Sequence, residues 1–337
     1  MPGLSRRLLS PVAENGIGFY HCLSRVVDRN YVFGPSEREV FRKILRQVES
    51  FTGVRVVTWT ILSNHFHLLL EVPRREELDE EQILERCRSL YSRDGMVAVQ
   101  WEYEDARRLG GESLIRWREK YCRRMWDLGE FMKTLKQKFT LWFNRKHGRV
   151  GTLWERRYQS LLVEGSRDCL LKVAAYIDLN SVRAGMVNDP KDYRWCGYAE
   201  AVAGDRPARR GLVVAAGGSR AGVDWRHVAS AYRKLVFGIG EATAVRPGIS
   251  QEEVAKVWAA GGELSLAQLL RCRVRYFSAG AVVGSEAFVE RFFQSRRELF
   301  GERRRSGARR FRDRAWAGMC SLRELGAGGI APPLPDG

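Results

Sequence analysis

Two histidines one residue apart are the residues whose types and spacing point most directly to chemistry. His65 and His67 lie in the segment SNHFHLLL, whose apolar end is typical of a β-strand. Because side chains alternate between the faces of a strand, both imidazoles would point to one face and Phe66 to the other. Two imidazoles on one face can bind a metal ion. The competing interpretation is structural, with one histidine packed against the sheet and the other in solvent.

A second group of polar residues falls within a helix predicted over residues 167–183. Four of its side chains form a polar row beside the apolar stripe: Lys172, Tyr176, Asn180 and Arg183. Such a row would suit a phosphate group, because the two cations neutralise charge, the amide oxygen can bind a metal ion and the phenol is a potential nucleophile. The alternative is a tyrosine at the domain edge with its hydroxyl in water.

The elements that would carry these residues follow the order β-α-β-β-α-β, with a further helix at the end. Strands are predicted at residues 16–26, 54–62, 66–72 and 158–163, and helices over residues 36–51, 131–146 and 167–183. This order predicts an α+β domain with a ferredoxin-like split βαβ antiparallel sheet and helices on one face.

The rest of the chain divides by composition. The main domain is predicted to span residues 16–204, with a helical insertion near residues 77–128. Residues 205–248, rich in Gly, Ala and Arg, are interpreted as a linker, and residues 249–315 as a small, basic helical region. That region fits a helix-turn-helix-like DNA-binding module and a generic helical extension equally well. A disordered tail is expected over residues 316–337.

Charge and cysteine content indicate the environment and the partner. The 337 residues include 57 Lys and Arg against 40 Asp and Glu, a net charge of +17. A polyanion, most commonly a nucleic acid, is the expected partner, although a basic surface without a polyanionic partner is the alternative. Seven scattered cysteines without a CxxC pair argue against a disulfide framework and fit a reducing cytoplasm. We expect no membrane span and no signal peptide.

Five segments, taken in order, resemble the Y1 transposases of the IS200/IS605 type, and within them the REP-associated tyrosine transposase branch. They are YHCLSR at 20–25; TILSNHFHLL at 60–69; LKQKFT at 135–140 with FNRKHG at 143–148; GTLWERRY at 151–158; and YIDLNSVRAGMV at 176–187, which DYRW follows at 192–195. The resemblance covers roughly residues 16–204, and the number and order of the segments make it specific.

The resemblance implies a role for each matching residue. His65 and His67 match the two histidines of the HUH motif, which bind Mg²⁺ or Mn²⁺; Tyr176 matches the catalytic tyrosine and Asn180 the third metal ligand. The implied activity is that of a metal-dependent transposase that nicks and rejoins single-stranded DNA near palindromic, REP-like hairpins through a 5′-phosphotyrosine. Ser63 and Ser181 stand where family members usually have proline, which affects local geometry more than chemistry.

Basic and aromatic residues outside this group are candidates for contacts with the DNA strand. Besides Lys172 and Arg183, they are Lys136, Lys138, Arg145, Lys146, Trp154, Arg156 and Arg157. A tryptophan packed under the sheet is an equally good interpretation of Trp154. Two other functions remain open: a DNA-binding regulator derived from a transposase, and an HUH relaxase or replication initiator. The sequence does not distinguish a monomer from a homodimer.

Overall fold

A computed structural model of the protein describes residues 16–218, 224–237, 281–311 and 316–322, together with residues 266, 270 and 277. Its helices are α1 (Pro35–Thr52), α2 (Glu80–Leu90), α3 (Arg93–Leu109), α4 (Gly111–Cys122), α5 (Leu128–His147), α6 (Arg167–Asp178), α7 (Asn180–Arg183), α8 (Gly197–Ala203), α9 (Arg206–Ala215), α10 (Trp225–Phe237) and α11 (Glu286–Ser295). Its strands are β1 (Gly18–Arg25), β2 (Arg55–Ile61), β3 (His65–Val72), β4 (Gln159–Val163), β5 (Val282–Gly284), β6 (Arg309–Arg310) and β7 (Cys320–Ser321).

A single mixed sheet with the order β2-β3-β1-β4-β5-β7-β6 organises the α+β fold. Strands β2, β3, β1 and β4 are antiparallel neighbours, and β5 pairs with β4 in parallel. In the β1–β3 register, Leu23 lies opposite His67 and Arg25 lies opposite His65. The β2–β3 hairpin therefore places both histidines at the end of β3, next to the last residues of β1.

Helices cover both faces of the sheet, so the prediction of helices on one face is wrong. On one face α1, α5 and the insertion helices pack against residues such as Phe66 and Leu68. On the other face α6, α8 and α9 form a layer with Val57, Leu69 and Leu161, and α10 packs on α6 and α9. The strands carry apolar residues on both faces, which requires two covering layers because exposed apolar surface is unfavourable.

The helices of the second layer include residues predicted to be a linker. Helix α9 lies within residues 205–248 and buries Leu212 against the sheet, and α10 follows it. The Gly- and Ala-rich composition suggested a linker, but here small residues allow close packing. A Cβ at Gly211 would lie 2.4 Å from the Val57 carbonyl oxygen and 2.5 Å from that of Val56. Helix α9 can therefore lie on β2 only because residue 211 has no side chain.

We expect Gly211→Ala to destabilise the protein by about 1–3 kcal/mol, since α9 would have to move away from the backbone of β2. Gly301→Ala is the matched control, because a Cβ there meets no atom within 4 Å, and it should change stability by less than about 0.5 kcal/mol. Denaturant unfolding of both variants measures the difference. Equal stability of the two variants would contradict the close contact of α9 with β2.

The last described residues also differ from the predicted arrangement. Strands β5, β7 and β6 extend the main sheet, so the described residues 281–311 do not form a separate helical region, and residues 316–322 are ordered rather than part of a tail. Residues 249–265, 267–269, 271–276, 278–280 and 312–315 of the predicted helical region lie outside the described residues, as do residues 323–337 of the predicted tail. Within the described part of the chain, no helix has the length and apolar character needed to cross a bilayer.

Helices α2, α3 and α4 lie within residues 77–128, where a helical insertion is predicted. The helix predicted over residues 167–183 is instead interrupted at Leu179, which separates α6 from α7. Tyr176 therefore lies near the end of one helix, and Asn180 is the first residue of the next.

Candidate active site

His65 and His67 lie on one face of β3, and Phe66 points to the other, as the alternation of a strand requires. Their ring centroids are 5.2 Å apart, with an angle of 72° between the ring planes. Phe66 packs against Phe41 and Trp154 in the opposite layer. His67 is buried and His65 is half-buried. The two imidazoles thus face the layer that contains α6.

A third histidine, which the residue spacing did not single out, joins this pair. His21 lies on β1 opposite Leu69, diagonally across from His67. The His21 and His67 rings stack with centroids 5.1 Å apart, and His21 Nε2 lies 2.9 Å from His67 Nδ1. His21 Nδ1 lies 2.8 Å from the carbonyl oxygen of Phe277. His21 belongs to the segment YHCLSR, but only the strand register shows that it reaches His67.

Tyr176 comes from α6 and lies against the same cluster. Its ring centroid is 6.4 Å from that of His21, with the rings nearly perpendicular, and 4.8 Å from that of Phe277. The Arg183 guanidinium lies over the Tyr176 ring at 4.0 Å and donates a 2.5 Å hydrogen bond to the Tyr176 carbonyl oxygen. Four rings, those of His65, His67, His21 and Tyr176, therefore form a continuous row across the face of the sheet.

Asn180 is held by its side-chain nitrogen. Nδ2 donates to the carbonyl oxygen of Ile177 at 3.1 Å and to that of Tyr176 at 3.4 Å, at the end of α6. Because the nitrogen is bound to the helix end, Oδ1 is the atom that the amide can offer to a ligand. Within the described residues, no group of three or more His, Cys, Asp and Glu could hold a metal ion. A metal ion here would therefore need the amide oxygen or oxygens of a bound phosphate beside the two imidazoles.

Burial keeps the buried histidines of the row neutral. Loss of solvation lowers the pKa of His21 to about 4 and takes the pKa of His67 well below its usual value. Neighbouring imidazoles and the positive charge of Arg183 act in the same direction on His67. Neutral imidazole is the form that binds metal ions, so the protonation state fits a ligand role at neutral pH.

A structure of a REP-associated tyrosine transposase bound to a REP hairpin is similar to part of the chain. The TM-score is 0.34 and the sequence identity 14%, over 56% of this chain and 80% of the other. No protein-family model and no curated protein matches the sequence. Similarity at this level does not assign the chain to a family.

Trp154 is a buried core residue, which contradicts its predicted stacking on DNA. Its ring packs against Phe33 and Phe66, and its Nε1 donates to Thr140 Oγ1 at 2.8 Å. The alternative interpretation, a tryptophan packed under the sheet, is the one that the structure supports.

Four lysines predicted to contact DNA are bound within the protein. Lys136 Nζ donates to the carbonyl oxygens of Arg156, at 2.8 Å, and of Arg157, and Lys138 Nζ donates to that of Leu90 at 2.6 Å. Lys172 is buried, with Nζ 2.6 Å from Asp168 Oδ2 and 3.2 Å from the Trp316 carbonyl oxygen, and Lys146 pairs with Glu37 at 2.6 Å. For the buried Lys136 and Lys172 the predicted phosphate contact is wrong, since their amines already have partners that keep them inside the protein.

The remaining predicted contacts differ in their exposure. Arg145, Arg156 and Arg157 are exposed, so their interaction with a DNA backbone stays a prediction. Arg183 is half-buried and bound to the carbonyl oxygens of Tyr176 and Leu270, which places it beside Tyr176 rather than on an open surface.

Proposed function

We propose that this protein is a metal-dependent, single-tyrosine DNA strand transferase that nicks and rejoins single-stranded DNA near palindromic hairpins. The observation that carries the proposal is the row of four rings. It brings Tyr176 to within two ring contacts of His67, although 109 residues separate them. A potential nucleophile and two imidazoles able to bind a metal ion, which meet on one sheet face, are groups that such a reaction needs. The order β2-β3-β1-β4 supports a ferredoxin-like split βαβ core for this domain.

The donor set fits a divalent cation. His65 and His67 would hold it from β3 and Asn180 from α7, and the scissile phosphate would add oxygen ligands. Bound there, the cation would polarise the phosphate and offset its negative charge. Because imidazole suits Mn²⁺ better than it suits Mg²⁺, which prefers oxygen ligands, we propose that Mn²⁺ binds more tightly.

The residues of this chain would carry out the transfer as follows. Tyr176 Oη loses its proton and forms a bond to the phosphorus, while the bond from phosphorus to the 3′ oxygen breaks and that oxygen takes up a proton. The product is a 5′-phosphotyrosine and a free 3′-hydroxyl, so one phosphodiester replaces another and the strand can be rejoined by the reverse step. The Arg183 guanidinium lies 4.0 Å over the Tyr176 ring and holds it in place by a cation–π contact.

One observation favours the alternative of a DNA-binding regulator. Tyr176 is only 4% exposed and lies beneath Phe277. The proposed reaction therefore requires Phe277 to move when DNA binds, whereas a regulator could bind DNA through exposed arginines such as Arg145 and Arg157 without using the tyrosine. The net charge of +17 supports a DNA partner in both cases.

A covalent-adduct assay with a metal-ligand variant tests the proposal. Labelled single-stranded hairpin DNA with Mn²⁺ should give a protein–DNA band that resists denaturation, and EDTA should abolish it. We expect His65→Ala to slow adduct formation by at least about 100-fold, because one imidazole ligand is lost, while DNA affinity changes little because phosphate contacts dominate it.

The matched control for this assay is His227→Ala, which removes an exposed histidine of α10, on the same side of the sheet. It should form the adduct at the wild-type rate. An adduct that forms equally well with EDTA, or equally well in His65→Ala, would refute the metal-dependent mechanism. Tight DNA binding without any adduct in the wild type would support the regulator.

A further inference from the structure

We propose that His21 is a positioning residue, which fixes the tautomer of His67 so that its Nε2 carries a lone pair and can bind a metal ion. This rests on the proposed function in one respect, namely that His67 is a metal ligand. The inference follows from a hydrogen-bonded chain that runs from Phe277 through His21 to His67.

The carbonyl group of Phe277 determines the protonation of His21 Nδ1. A carbonyl oxygen accepts hydrogen bonds and cannot donate. His21 Nδ1 lies 2.8 Å from this oxygen, so Nδ1 must carry a hydrogen. This contact places a hydrogen on Nδ1 of His21, and the state of Nε2 depends on whether the ring is neutral.

The contact between the two imidazoles determines the tautomer of His67. His21 is 2% exposed, and a second proton would place a positive charge in the interior of the protein, where burial of an ion is unfavourable. Neutral His21 has one N–H, which is on Nδ1, so its Nε2 is an acceptor. His67 Nδ1, at 2.9 Å, must therefore donate to it. Neutral His67 then has its hydrogen on Nδ1 and its lone pair on Nε2.

The same arrangement is present at the other histidine of the pair. His65 Nδ1 lies 2.7 Å from Asn64 Oδ1, while Asn64 Nδ2 donates to the Arg29 carbonyl oxygen at 2.9 Å. The Arg29 contact determines which amide atom of Asn64 faces the ring. His65 therefore also has its hydrogen on Nδ1. Both imidazoles present Nε2, as metal ligands do when a second group binds the opposite nitrogen.

The register of the sheet explains why a residue on β1 can take this role. His21 lies opposite Leu69 and Leu23 lies opposite His67, so His21 is the diagonal neighbour of His67 on the same face. Aromatic side chains bridge this diagonal distance. Because both strands lie inside the sheet, the two rings are held more firmly than they would be on loops.

The experiment compares His21→Leu with His21→Gln in the full chain. In wild-type protein, ¹⁵N spectra of the histidine rings should show His67 protonated at Nδ1 in the absence of metal. His21→Leu removes the acceptor, so His67 should shift towards the Nε2-protonated form, and Mn²⁺ affinity should fall by about 10–100-fold. His21→Gln retains an acceptor oxygen and should recover most of that affinity. Thermal unfolding of both variants checks that they fold.

The outcomes separate this inference from the proposed function. A wild-type His67 protonated at Nε2 would overturn the inference, as would an unchanged tautomer and Mn²⁺ affinity in His21→Leu. If His21→Leu does not fold, the wild-type spectrum and His21→Gln still decide it. If the tautomer of His67 and the Mn²⁺ affinity change as expected but no covalent DNA adduct forms, the role of His21 stands. The proposed transferase activity is then refuted.

Discussion

Tyr176→Phe should abolish the covalent protein–DNA adduct, with a loss in rate of at least about 10³-fold. The substitution removes one oxygen atom, which is the proposed nucleophile. The ring keeps its packing on Phe277 and its position beneath Arg183. The variant should therefore fold, bind Mn²⁺ and bind hairpin DNA as the wild type does. Gel analysis of the adduct, together with DNA titration, measures both properties on the same samples.

Tyr31→Phe is the matched control for the nucleophile. Tyr31 is 84% exposed. It therefore tests whether an accessible tyrosine outside the candidate active site contributes to the adduct. This variant should form the adduct as fast as the wild type. If Tyr176→Phe formed the adduct at the wild-type rate, Tyr176 would not be the nucleophile, whatever the metal requirement.

Asp178→Ala should reduce the free energy of unfolding by about 3–5 kcal/mol, the largest effect on stability that we expect. The buried carboxylate accepts hydrogen bonds from Tyr232 Oη at 2.5 Å, Thr58 Oγ1 at 2.8 Å and the Tyr198 backbone nitrogen at 3.3 Å. These donors belong to α10, β2 and α8, so one side chain of α6 connects three elements. Alanine would leave three buried donors without their acceptor.

Burial raises the pKa of Asp178 to about 7, although its three hydrogen bonds act in the opposite direction. Asp178→Asn retains an acceptor oxygen and should be less destabilising than alanine. Asp192→Ala, at an exposed position, should change stability by less than about 0.5 kcal/mol. Urea unfolding provides the three values. A loss below about 1 kcal/mol in Asp178→Ala would show that the carboxylate does not join these elements.

The sequence predicted the parts of the site that depend on local periodicity. Alternation along one strand was sufficient to place His65 and His67 together with Phe66 opposite, and the structure confirms it. His21 could not be found in this way, because its contact with His67 depends on the register between two strands about 46 residues apart in the chain. Register is decided by the pairing of whole strands and their burial, which no single segment specifies.

Composition was a weaker guide than periodicity. The Gly- and Ala-rich residues after 204 suggested a linker, whereas Gly211 is what allows α9 to approach β2. Positive charge suggested DNA contacts for Lys136 and Lys172, but backbone carbonyl oxygens and a carboxylate hold their amines inside the protein. Whether a lysine is exposed depends on tertiary contacts that its neighbours in sequence do not reveal.

The parallel pairing of β5 with β4 has a consequence for the choice of boundaries in a shortened protein. The backbone nitrogens of Leu162 and Glu164 donate to the carbonyl oxygens of Ala281 and Val283, so β4 is an interior strand. A chain ending near residue 204 would leave those donors on an open edge, where a strand from another molecule could pair with them and cause aggregation. We therefore expect residues 16–204 expressed alone to be largely insoluble. A shortened protein should retain β5, which covers the edge of β4.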